Sequence, residues 1–122
     1  VFERFFYKQP KLNTTSQIRK ALQKEMKKRD KLQKRSDGLL SQMKERETKY
    51  EQYYKVKIKE FQEQGLQKEA SKLQSESLEN NRIYGFIKQD YAKAEHQLMF
   101  AKNNVARYEK LLQEKETTKQ IS

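Results

Sequence analysis

Apolar residues recur along this chain at helical spacing, and from residue 66 onward they do so in alternating steps of four and three. The steps run through Leu66, Ala70, Leu73, Ser77, Asn80, Tyr84, Ile87, Tyr91, Ala94, Leu98, Ala101, Val105, Tyr108 and Leu112, and twelve of these fourteen positions are apolar or tyrosine. Such a repeat keeps one narrow stripe facing a partner helix. A chain this polar offsets its ordering entropy only if that stripe is covered. Leu66, Ala70, Leu73, Ile87, Ala94, Leu98, Ala101 and Val105 are therefore the expected helix-packing residues. The three alanines permit close approach, while Ser77 and Asn80 are placed to fix register. The first half is less regular. Ile18, Leu22, Met26, Leu32, Leu39, Met43, Tyr50, Tyr54, Ile58 and Phe61 lie on a drifting face. The eleven-residue spacings Leu32/Met43/Tyr54 and Leu39/Tyr50/Phe61 favour a nearly straight path.

Punctuation divides this pattern. Pro10, the one proline, disfavours helix in the residue before it and separates a leading segment, 1–9, from a core, 10–122. Thr14-Thr15-Ser16-Gln17 fits a capping box and predicts a helix over about 15–64. A glycine just past a helix end takes the left-handed backbone that other residues avoid, so Gln64 and Gly65 are expected at a tip. A second helix is expected over about 66–115. The fold class is all-α, a long antiparallel helical hairpin preceded by a short amphipathic helix, with an extended rod as the open alternative in a polymer. Ile83, Phe86, Met99, Phe100 and Leu111 fall off the seam and call for contacts beyond the pair, most simply with neighbouring subunits.

Composition sharpens the picture. The 122 residues include 28 Lys+Arg against 17 Asp+Glu, a net charge of +11, with 34% apolar residues and no cysteine. Turn-rich β folds and disulfide scaffolds are poor readings, and no apolar run approaches the roughly 20 residues that span a bilayer. A soluble, cytoplasmic protein that can lie at a membrane surface is expected. The charge is lopsided, since residues 1–35 hold 12 basic and 3 acidic residues. Within them Lys20, Lys24, Lys27, Lys31 and Lys34 repeat the four-three step. At about 100° per residue these five occupy about 80° of arc, with Lys28 and Arg35 on the border and Ile18, Leu22, Met26 and Leu32 opposite.

Such a stripe is either a solvated charged face or a surface for a polyanion, and lipid and nucleic acid satisfy it equally. The leading segment favours lipid. As a helix, Val1, Phe2, Phe5 and Phe6 occupy one arc and Arg4 and Lys8 another, an interfacial wedge. Those phenylalanines also suit core or subunit packing. Enzyme chemistry is not expected: His96 is the single histidine, no nucleophile–base set is present, and no glycine-rich phosphate loop exists. No metal or cofactor is expected.

Around the expected tip the chain reads Lys57-Ile58-Lys59-Glu60-Phe61-Gln62-Glu63-Gln64-Gly65, followed by Ala70. This resembles the KIKK-x-x-x-x-G tip of the ESCRT-III family, with a small residue five positions on. Phe2-Glu3-Arg4-Phe5-Phe6, with a proline soon after, is similar to the family's hydrophobic N-terminal anchor. The usual Lys-Gly at the tip is Gln64-Gly65 here, and the small-residue run after it is replaced by Ser71-Lys72-Leu73-Gln74. The resemblance implies subunits that polymerise on anionic membranes, as homo-oligomers or with related subunits, and constrict or sever them. In that family a AAA ATPase disassembles the polymer through a C-terminal tail motif. No such tail is seen by Ser122, so the chain is expected to be the core of a longer subunit. A nucleic-acid-binding coiled coil and a purely structural helical module are the competing readings.

Overall fold

The computed structural model describes residues 13–121. The expected anchor, with Phe2, Arg4, Phe5, Phe6 and Lys8, lies outside the described residues. What is described is all-helical: α1 (Thr15–Lys49), a π-helical turn (Tyr50–Tyr54), α2 (Lys55–Glu63) and α3 (Gln67–Ile121). The two long helices pack against each other. The chain divides into two compact units, one of Val1–Leu32 with His96–Ser122 and one of Gln33–Glu95.

In the first unit, α1 begins with the capping box that its sequence spells. The Gln17 amide donates to Thr14 Oγ1 at 3.2 Å, and Gln17 Oε1 accepts from the amides of Thr14 and Asn13 at 3.2 and 3.1 Å. Three backbone donors that no helical carbonyl could satisfy are thereby paired. One turn later Ile18 and Ala21 pack with Tyr108, and Leu22, Leu111 and Leu112 close around them. Leu111, expected off the seam, belongs to this cluster. Leu98, Ala101 and Val105 are buried as well. The helices run antiparallel here: Lys115 Nζ donates to the Asn13 carbonyl at 2.6 Å and Arg19 pairs with Glu116 at 3.0 Å.

The second unit is a hairpin closed by Gln64, Gly65 and Leu66. The Leu66 amide donates to the Phe61 carbonyl at 2.8 Å and the Gly65 amide to Gln62 at 3.2 Å, the paired bonds of a Schellman end. Gly65 has φ +75°, the left-handed value this geometry requires. Leu66 then accepts from the Ala70 amide at 3.0 Å, so one residue ends α2 and opens α3. This linking position leaves Leu66, expected as the first packing residue, 39% exposed. Ala70, Leu73 and Ala94 are buried against α1 and the π turn, with Met43 and Tyr54, and Ile87 is half-buried. Asn80 is read from both ends, accepting from Arg46 Nη1 at 3.1 Å and donating to the Arg46 carbonyl at 3.2 Å. Ser36 donates to Glu95, and Tyr84 donates to Glu47 at 2.6 Å. That last bond raises the Tyr84 pKa, because it holds the phenol proton beside a carboxylate.

Burial along the first half explains its apparent drift. In the first unit a four-three step on α1 runs through the covered positions Ile18, Leu22, Glu25, Arg29 and Leu32, flanked by buried Ala21 and half-buried Met26. In the second it continues through Ser36, Leu39, Met43, Arg46 and Tyr50. From the next step the same rhythm would bring in Tyr53, Lys57 and Glu60, yet Tyr54, Ile58 and Phe61 are covered instead. The π turn supplies the difference. Its wider i→i+5 loop takes up one extra residue and returns the apolar side chains to the seam. The expected uninterrupted helix over 15–64 is therefore two α-helices joined by a phase correction.

Two outcomes follow from these observations. Deleting exposed Gln52 turns the π turn into ordinary α-helix with the seam intact, so urea unfolding should change by less than about 1 kcal/mol. Deleting exposed Gln89 from α3, which has no spare residue, should cost more than about 3 kcal/mol by turning buried positions through about 100°. For the glycines, nothing lies within 4 Å of a Cβ at either Gly38 or Gly65, so the backbone alone decides. Gly65→Ala should destabilise by about 1–2 kcal/mol and Gly38→Ala should stabilise by about 1 kcal/mol, both read from thermal unfolding.

Candidate anionic-surface site

The candidate site lies on α1 within the first unit. Ile18, Leu22, Glu25, Arg29 and Leu32 take the side turned to α3, which leaves the opposite side to lysine. Lys20, Lys24, Lys27 and Lys31 are all exposed there, with Lys28 exposed at its edge. Each has another lysine three or four residues away, the separation at which helical side chains meet. Lys34, also exposed, is on the part of α1 that belongs to the second unit.

What distinguishes this face is the absence of counter-charge. Among the described residues, none of Lys20, Lys24, Lys27, Lys28, Lys31 or Lys34 makes an ion pair. The two nearby carboxylates are committed elsewhere. Glu25 stands on the packed side, with Oε2 buried and without a hydrogen-bond partner. Asp30 accepts from the Arg29 guanidinium at 3.2 and 3.3 Å. The second unit handles its charge differently, pairing Lys55 with Glu51, Lys57 with Glu60 and Arg82 with Glu79. The last contact raises the Arg82 pKa and lowers that of Glu79, chiefly through the hydrogen bond between them. A cluster of cationic heads on flexible stems can adapt to a diffuse negative surface.

Of the tyrosines in the π turn, Tyr54 is buried, Tyr50 half-buried and Tyr53 44% exposed. Tyr50, Ile58 and Leu78 line an open groove of about 480 Å³ in the second unit. Of the off-seam apolar residues, Phe86, Met99 and Phe100 are exposed, while Ile83 is half-buried. His96 packs edge-on against Phe100, with ring centroids 4.9 Å apart. Among the described residues, no helix is long and apolar enough to cross a membrane. No known protein family, curated protein or solved structure matches the chain.

Sequence pattern alone located the lysines but not the contrast that isolates them. That contrast depends on Glu25 turning inward and Asp30 being held by Arg29, and only the four-three step carried through polar positions could have flagged Glu25. Mutual repulsion on this face has a measurable consequence. Lys27→Glu places an anion between Lys24 and Lys31 and should stabilise the fold by about 0.5–1 kcal/mol at low salt. The gain should vanish near 1 M salt, where screening reaches about 3 Å.

Proposed function

We propose that this chain is an ESCRT-III-like subunit that assembles on anionic membranes and bends, constricts or severs them. The observation that carries the reading is the exposed lysine face of α1, five lysines within one unit and without an ion-pair partner among the described residues. Near an acidic bilayer each contributes about 1 kcal/mol, so one subunit binds weakly and a row of linked subunits binds firmly. In this reading Phe2, Phe5 and Phe6 insert shallowly, and Arg4 and Lys8 join the head-group contacts. Exposed Leu78 and Phe86 on α3 supply surface for neighbouring subunits, which are copies of this chain or related ESCRT-III subunits. Disassembly falls to a AAA ATPase that engages a C-terminal tail. The work is done by binding and assembly, with no bond made or broken, at the cytoplasmic face of a membrane.

Duplex or single-stranded nucleic acid is the rival polyanion, and one experiment separates the two. The protein is sedimented with neutral and phosphatidylserine-containing vesicles across a salt series, with DNA or RNA as competitor, and the pellets are imaged. The proposal expects binding to acidic vesicles alone, loss of most binding between low and high salt, and filaments or tubes in the pellet. Equal binding to neutral vesicles, or displacement by nucleic acid at matched charge, would overturn it.

A further inference from the structure

The first unit has a second outward side, on α3. Leu98, Ala101, Val105 and Tyr108 are buried toward α1, and at about 100° per residue the opposite side of the helix carries His96, Met99, Asn103, Arg107 and Lys110, with Phe100 at its margin. All six are exposed, Met99 by 51% and Phe100 by 56%. Large apolar side chains left this open beside cations are the composition of a helix lying in a lipid interface. Charge points the same way. On that side Arg107 and Lys110 stand against one carboxylate, Glu114, one turn beyond Lys110. Arg107 leans over the Tyr108 ring with its guanidinium carbon 5.1 Å from the centroid, and it forms no ion pair among the described residues.

The lysine face of α1 and this face of α3 point away from each other, because each lies opposite the side on which its helix is packed. Two helix diameters, about 20 Å, separate them. A single flat bilayer reaches only one at a time.

We infer that the Met99–Phe100 face is a second contact for anionic lipid, so that this unit bridges two bilayers, one on the lysines of α1 and the other on α3. The inference rests on the proposed lipid binding of the lysine face and adds a surface that the lysines do not include. Met99 and Phe100 enter the head-group region, while Arg107 and Lys110 meet the phosphates around them.

The test uses phosphatidylserine-containing vesicles, one set immobilised and a second set labelled and free. The wild-type chain should capture labelled vesicles on the immobilised ones. Met99→Ser with Phe100→Ser should lower that capture about tenfold, while sedimentation with a single vesicle population changes by less than about threefold. Both residues are exposed, so circular dichroism should stay unchanged. Because the chain has no tryptophan, Phe100→Trp provides a single reporter. Its emission should shift to the blue on the second bilayer and be quenched by brominated acyl chains. Binding to vesicles without capture of a second set would overturn the bridging inference and leave the lysine face standing. Capture with a blue shift but no quenching would overturn it too, by assigning Phe100 to contact with a second copy of the chain. Absence of any binding to acidic vesicles would remove both proposals together.

Discussion

A pair of helices can bury only one stripe on each partner, and that geometric limit governs this molecule. On α3 the stripe buries Ala70, Leu73, Ala94, Leu98, Ala101, Val105 and Tyr108, with Tyr84, Ile87, Tyr91 and Leu112 half-buried. Small residues let the helices approach, and the fewer large ones supply most of the stabilisation, about 1.5–3 kcal/mol for each fully buried Leu or Val. Every other side chain is left to solvent or to a partner. Nothing in the fold therefore opposes a lysine face on one outer side and an apolar, basic face on the other.

The stripe on α1 is less apolar, and the compromises differ along the helix. Ser36 and Arg46 are tied to Glu95 and Asn80, so the polar seam positions in the second unit are satisfied. Glu25, in the first unit, keeps one carboxylate oxygen buried with no hydrogen bond. The outer lysines of the same unit also repel one another. In the proposed function it is an anionic bilayer that relieves the repulsion.

Much of the fold could be read from the residues because its signals were local. The capping box at Thr14 and Gln17, the glycine end at Gly65 and the unbroken four-three step on α3 each use a handful of neighbouring side chains. The register on α1 was hidden for two reasons. Glu25, Arg29, Ser36 and Arg46 occupy seam positions that apolar patterning passes over, and the π turn at Tyr50–Tyr54 shifts the phase by one residue. Together these two effects made a regular seam look like a drifting one. Leu66 was misplaced because the residue that opens a helix has the right spacing but not yet the right surroundings. On the site, spacing was enough to gather the lysines. Their isolation from carboxylates needed three dimensions, since Glu25 and Asp30 are close in sequence and removed only by where they point.

The central claim is that the position of the charge on α1, and not its amount, attaches the chain to lipid. Its most direct test compares two variants of equal net charge by equilibrium binding to phosphatidylserine-containing vesicles. One neutralises Lys20, Lys24, Lys27 and Lys31 to Gln, and the other neutralises Lys55, Lys57, Lys68 and Lys72. The account predicts a loss of about 100-fold or more for the first and a change within about fivefold for the second. Equal losses in the two would contradict it.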